Sequence, residues 1–98
     1  MKKFLFLYNV DPKESPADAD MDLWMKWFDS ISESLLDMGN PLMEGMNVSS
    51  AGAMKITSEL HPVSGYTIVK AEDMAAAIEI AKGCPGEAGL RVHEAIEM

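Results

Sequence analysis

The two histidines are the side chains best suited to proton transfer near neutral pH, since an unperturbed imidazole has a pKa of about 6.5. His61 shortly precedes the segment with the strongest strand character, and Glu44 or Glu59 would orient its ring. His93 falls on the exposed side of the predicted last strand, which favours a surface or interface residue. We therefore take His61 as the candidate catalytic acid or base, with a loop histidine of no catalytic role as the simpler interpretation.

Cys84 is the single cysteine of the chain, which excludes an intrachain disulfide. It follows the predicted end of a helix, where the negative end of the helix dipole raises a thiol pKa, so we predict an inert, packed cysteine. Two histidines and scattered carboxylates lack the spacing of a metal site, and neither a metal nor another cofactor is expected. Gly83, Gly86 and Gly89 follow this helix instead of leading into one, so they are predicted to be turn residues and not a phosphate-binding loop.

Aromatic residues with helical spacing are the second candidate for function. They would line an apolar pocket between a helix and the sheet, and the nine methionines of the chain would make such a pocket adaptable. Tyrosine and asparagine side chains would supply polar groups at its rim. The candidate ligand-binding residues are Trp24, Trp27, Phe28, Tyr8, Tyr66 and Asn47. The simpler interpretation is that the aromatic stripe belongs to an ordinary hydrophobic core.

The composition is that of one globular domain spanning residues 1–98, with 48% hydrophobic and 24% charged residues. The net charge of −8, from 16 acidic and 8 basic residues, disfavours binding to nucleic acids and to anionic membranes. The first apolar run, Phe4–Tyr8, is too short for a signal-peptide core or a membrane span, so a cytoplasmic location is expected.

The hydrophobic pattern predicts the order strand, helix, strand, strand, helix, strand. The predicted strands are 4–8, 42–48, 65–71 and 90–97, and the predicted helices run from Asp18 or Asp20 to about Met38 and from Glu72 to Lys82. Ser49–Ala53 is predicted to be a bulge, a bend or a turn, with further extended chain after it. This order is typical of an α+β, ferredoxin-like βαββαβ fold, in which a four-stranded antiparallel sheet carries both helices on one face.

The first strand is apolar on both sides, with Phe4, Phe6 and Tyr8 on one face and Leu5 and Leu7 on the other. Two helices on one face of the sheet would leave the second face uncovered. A second copy of the chain, packed sheet against sheet, is the simplest cover, so we predict a homodimer.

The sequence resembles the YCII-related family, including its DGPF-type members. The resemblance rests on the strand Gly65–Ala71, the helix end Ala77–Pro85 with its Gly-Cys-Pro sequence, the strand Lys3–Tyr8 and the position of Gly39. It implies a dimeric α/β barrel built from two ferredoxin-like sheets. Some members carry a histidine near the first helix, where this chain has Trp24–Trp27, and the DGPF motif is replaced by Leu60–Ser64.

Together these observations predict a homodimeric α/β-barrel module that binds a small apolar or cationic molecule. Two alternatives remain open at this point. One is a cofactor-free enzyme, such as a lyase, isomerase or monooxygenase, in which His61 acts as acid or base. The other is a protein-interaction domain whose acidic surface contacts a basic partner.

Overall fold

The computed structural model describes residues 1–10, 21–57 and 62–97. In chain order, the elements of these ranges are β1 (Lys2–Asn9), α1 (Met21–Ser30), β2 (Leu35–Asp37), β3 (Met46–Ser49), β4 (Gly52–Lys55), β5 (Val63–Ala71), α2 (Met74–Ala81) and β6 (Leu90–Ala95). The predicted α+β class is confirmed.

Four of the strands form one antiparallel sheet in the order β2-β5-β1-β6. The most apolar strands, β1 and β5, occupy the centre and pair over nearly their full length. The sheet is compatible with a ferredoxin-like fold, in which the first and third strands are central and the second and fourth are at the edges. Here β5 takes the place of the third strand and β6 that of the fourth, because β3 and β4 pair only with each other.

Alternation along β1 places Phe4, Phe6 and Tyr8 on the face that carries the helices, and all three side chains are buried. Trp27 of α1 stacks on Phe6 with ring centroids 6.4 Å apart. Its indole N–H donates to the backbone carbonyl of Ile80 in α2 at 3.2 Å, which joins the two helices. Both helices therefore lie on the same face, and the core forms between them and the sheet.

α2 starts at Met74, two residues after the predicted start at Glu72. The Asp73 carboxylate accepts a hydrogen bond from the backbone N–H of Ala76 at 2.8 Å, so it caps the helix and interacts favourably with its dipole. Ala77 in the next turn is fully buried against the sheet. The small alanine side chains of α2 let this helix lie close to β5 and β6.

The prediction that the first helix extends to Met38 is wrong. α1 ends at Ser30, and the next residues form tight turns with hydrogen bonds from Ser34 N–H to Ile31 O and from Leu35 N–H to Ser32 O. The chain then becomes β2, which pairs with the otherwise open edge of β5 through Leu35 and Val69. Pairing of this edge outweighs the helical spacing of the apolar residues, because the backbone groups of β5 need partners.

The prediction of a single strand over 42–48 is also wrong. Only Met46–Ser49 is extended, and it pairs with β4 as a separate two-stranded hairpin. The intervening Ser49–Ala53 segment contains the hairpin turn, one of the three predicted conformations. All eight strand residues of this hairpin are exposed.

Candidate functional site

The predicted aromatic stripe forms a cluster of touching rings between α1 and the sheet. The ring centroids of Tyr8 and Trp24 are 5.1 Å apart, and those of Trp27 are 5.8 Å from Trp24 and 5.2 Å from Phe28. The Tyr8–Trp24 and Trp24–Trp27 pairs are edge-to-face, and pairs of this kind stabilise by about 0.5–1.5 kcal/mol beyond area burial. The rings contact one another, as expected for the ordinary hydrophobic core that is the simpler interpretation of the stripe.

Tyr8 anchors the cluster through a buried hydrogen-bond chain. The Thr67 hydroxyl donates to the backbone carbonyl of Met38 at 2.8 Å, so it accepts from the Tyr8 hydroxyl, whose oxygen is 2.5 Å away. Burial raises the pKa of Tyr8 to about 12. The phenol is therefore neutral at physiological pH and acts as a structural donor.

The remaining rim residues of the predicted pocket lie elsewhere. Tyr66 projects from the opposite face of β5, where its hydroxyl accepts a hydrogen bond from the Asn40 side chain at 3.1 Å. Asn47 is exposed in the hairpin strand β3. The structure brings together Tyr8, Trp24, Trp27 and Phe28, but it does not add Tyr66 or Asn47 to them. The sequence alone does not show that residues 46–55 form a separate hairpin, or that Tyr66 belongs to the opposite face of β5. Both residues were therefore predicted to lie at one rim.

The Gly83-Cys84-Pro85 helix end packs directly against the aromatic cluster. An added Cβ at Gly83 would lie 3.0 Å from Trp27 Cδ1 and Nε1, so this glycine permits the close approach of the indole. Burial raises the pKa of the Cys84 thiol, while a hydrogen bond involving the Gly86 backbone lowers it by less. The direction agrees with the predicted inert cysteine, with desolvation as the largest cause.

Of the two histidines, only His93 lies within the described residues. His61, the candidate acid or base, lies outside the described residues, as does its candidate partner Glu59. His93 is exposed, as predicted, and lies directly across from Leu5 on β1. Its side chain therefore belongs to the face of the sheet that is opposite the helices.

That second face, called the open face below, is the more informative surface for function. It is formed by the alternate residues of three strands that point away from both described helices. Its members are Lys3, Leu5, Leu7, Tyr66, Ile68, Lys70, Arg91, His93 and Ala95. The centre is apolar and the ends are cationic, although the chain as a whole carries a net charge of −8. The apolar residues of this face on β1 were predicted from the sequence, but its cations were not. Alternation in β5 and β6 was the signal that would have placed them on the same face.

A groove of about 690 Å³ lies where the open face ends, near the start of β1. It is lined by apolar side chains, among them Leu36 and Ile96, and by charged ones, among them Lys3 and Lys70. Leu36 lies in the irregular part of β2, where the register with β5 shifts, and half of its surface is exposed. The groove and the open face are continuous through Lys3 and Lys70, which belong to both.

No model of a known protein family matches this chain, and a search of curated proteins found no significant match. Within residues 1–10, 21–57 and 62–97, no three potential metal ligands of the types His, Cys, Asp and Glu come together. Neither of the two described helices combines the length and the apolar character needed to cross a membrane.

Proposed function

We propose that this chain is one subunit of a homodimer in which two open faces meet, as in the dimeric α/β barrel of the YCII-related family, and that the dimer binds a small apolar molecule. The observation that supports it most strongly is the unequal cover of β1. Phe4 and Phe6 are fully buried beneath the helices. Leu5 and Leu7 alternate with them along the strand and have no described helix above them.

Pairing of two open faces would bury the apolar centre of each. Complete burial of an aliphatic side chain stabilises by about 1.5–3 kcal/mol relative to full exposure, and Leu5, Leu7 and Ile68 are only half-buried in the isolated chain. Covering these residues in both copies would add several such partial contributions. A domain of about 100 residues buries only roughly two-thirds of its unfolded surface, so such a gain would be a large part of its stability.

The exposed hairpin gives a second argument for a partner copy. A two-stranded hairpin is marginally stable in water unless it packs against something else. β3 and β4 pair with each other, and Met46, Val48 and Met54 are more than half exposed. Contact of this hairpin with a second copy would cover these apolar side chains.

The character of the open face favours an apolar ligand over a cationic one. Lys3 and Lys70 would repel a cation, whereas Leu5, Leu7 and Ile68 offer an apolar contact surface. A binding module is favoured over an enzyme among the described residues because the perturbed groups, Tyr8 and Cys84, are both held in their neutral forms within the core.

Native mass spectrometry of protein purified without refolding tests both parts of this proposal. We expect a dimer that carries an additional small-molecule mass, which is lost when the dimer is dissociated in the gas phase. A protein that is monomeric at micromolar concentration would refute the pairing of open faces. A dimer that never carries additional mass, even after incubation with an apolar compound, would refute the binding role.

A further inference from the structure

The geometry points to a carboxylate as the head group of the bound molecule, received by Lys3 and Lys70 at the end of the open face. This inference rests on the proposed function and adds the chemical class of the ligand, an amphipathic monocarboxylate. Its apolar part would extend from the two lysines over Leu5 and Ile68, between the two open faces of the dimer.

The lysine pair is an unusual feature of this sheet. Lys3 and Lys70 are directly opposite each other on neighbouring antiparallel strands, and both are exposed. Directly opposed residues have Cβ atoms about 4.5–5.5 Å apart, and like charges in these positions are destabilising. A shared anion would turn this repulsion into two favourable interactions.

The carboxylates of the described residues form no ion pair with Lys3 or Lys70. Within the described part of the chain, the ion pairs are those of Lys2 with Glu94, Lys55 with Glu44 and Lys82 with Glu79. Glu94 lines the groove but interacts with Lys2 at 3.7 Å, and the cross-strand neighbour of Lys3 on β6 is Ala95. Glu97 also lines the groove, yet no ion pair joins it to either lysine.

An apolar track starts at the lysine pair. Leu5 and Ile68 form the next pair on this face, and Leu7 and Tyr66 form the one after that. A strand rise of about 3.4 Å per residue places Leu7 roughly 14 Å from Lys3. Leu36 flanks the start of the track in the groove. A ligand with an anionic head and an extended apolar tail fits this order of side chains.

The charge of the whole chain favours a monoanion over a polyanion. A net charge of −8 repels every anion that approaches, and the repulsion grows with the charge of the ligand. A phosphate ester or a nucleic acid would meet more repulsion than a carboxylate and would leave the apolar track without a matching surface. The lysine pair supplies a local attraction that is sufficient for one negative charge.

The test compares octanoate with 1-octanol, which share the same tail and differ in charge. Isothermal titration calorimetry would measure both affinities for the wild-type protein, for Lys3→Gln/Lys70→Gln and for the control Lys26→Gln/Lys82→Gln, which removes two charges elsewhere. We expect the Lys3→Gln/Lys70→Gln variant to bind octanoate about five- to tenfold more weakly, the sum of two exposed ion pairs. Its affinity for octanol should be unchanged, and octanoate binding to the wild type should weaken with added salt.

The outcomes separate this inference from the proposed function. A wild-type dimer that binds octanol as tightly as octanoate, or an octanoate affinity that both double variants lower equally, would overturn the carboxylate site and leave the apolar binding role standing. A protein that binds neither compound would overturn both. Circular dichroism checks that Lys3→Gln/Lys70→Gln folds, and we expect it to be at least as stable as the wild type because the opposed charges are gone.

Discussion

Substitution of Gly39 by alanine should disrupt the junction between β2 and β5. Gly39 has a φ of +79°, and a Cβ added there would lie 1.7 Å from the backbone carbonyl oxygen of Tyr66. Carbon and oxygen normally stay more than about 3.3 Å apart, even in weak C–H···O contacts. The obstacle is backbone in a central strand, so the loop around Gly39 must move as a whole.

The loss of stability in Gly39→Ala has two sources, the strained backbone and the hydrogen bonds that the displaced loop weakens. A left-handed conformation costs alanine about 1–2 kcal/mol. Displacing the loop would also weaken hydrogen bonds from Gly39 N–H to Asp37, from Leu42 N–H to Ser64 O, and from Thr67 to Met38 O. Each contributes about 0.5–1.5 kcal/mol net. We therefore expect Gly39→Ala to lower the free energy of unfolding by about 3–5 kcal/mol.

Gly89→Ala is the matched control, because Gly89 has a φ of +77° and a Cβ there would lie 3.9 Å from its nearest neighbour, Asn9 Nδ2. Gly89→Ala should lower the free energy of unfolding only by the cost of the left-handed conformation, about 1–2 kcal/mol. Urea unfolding followed by tryptophan fluorescence, at one protein concentration for all variants, would measure both values. Equal destabilisation by the two substitutions would show that the close approach of Gly39 to β5 is not the cause.

Three further predictions concern the core. Gly83→Ala should lower the free energy of unfolding by about 1–3 kcal/mol, because the added Cβ overpacks against the buried Trp27. Gly86→Ala should cost less, because its Cβ would lie 3.3 Å from the partly exposed indole of Trp24. Equal urea midpoints for the two variants would contradict this. The unfolding free energy should fall by about 1–2 kcal/mol as the pH rises from about 10 to about 12, because the unfolded phenol of Tyr8 loses its proton first. The fall stays below the roughly 2.7 kcal/mol that separates a pKa of 10 from one of 12, because the ring keeps some solvent contact. Tyr8→Phe should remove this contribution to the pH dependence. Cys84 should react with a disulfide reagent at neutral pH much more slowly in the native protein than in urea, and equal rates would refute its burial.

The sequence was sufficient for the elements whose local pattern agrees with their tertiary role. β1, β5 and β6 contain apolar alternation or dense β-branched and aromatic residues, and their predicted bounds differ from the structure by only a few residues. α2 has a capping carboxylate at Asp73 and terminators at Gly83 and Pro85, so both of its ends were predictable. The division of β1 into two apolar faces was also predicted, and the core confirms the face with Phe4 and Phe6.

Residues 31–57 could not be assigned from local pattern alone. Ile31, Leu35 and Met38 continue the helical spacing of α1, yet Leu35 pairs with Val69 because the edge of β5 requires backbone partners. The serines at 30, 32 and 34 were the available signal, since serine hydrogen-bonds locally and weakens a helix interior. Gly39 has a left-handed φ of +79°, and it follows a strand and not a helix.

The candidate site shows the same division between local and non-local information. The stripe Trp24, Trp27 and Phe28 was predictable from spacing, but whether it lines a pocket depends on how rings from other elements fill the gap. The lysine pair required the register of β1 against β5, which sets Lys3 opposite Lys70. A shift of that register by one residue would move one lysine to the helix side.

Sedimentation velocity of the wild type, Leu5→Glu and Met25→Glu tests the central claim most directly. Leu5 lies at the centre of the open face, whereas Met25 is a 46%-exposed residue of α1 on the opposite side of the sheet. At tens of micromolar protein, the account predicts a species of twice the 10.7 kDa chain mass for the wild type and for Met25→Glu. It predicts a folded monomer for Leu5→Glu, because two carboxylates would be buried against each other. A monomeric wild type, or a Leu5→Glu protein that dimerises as well as Met25→Glu, would contradict the pairing of open faces.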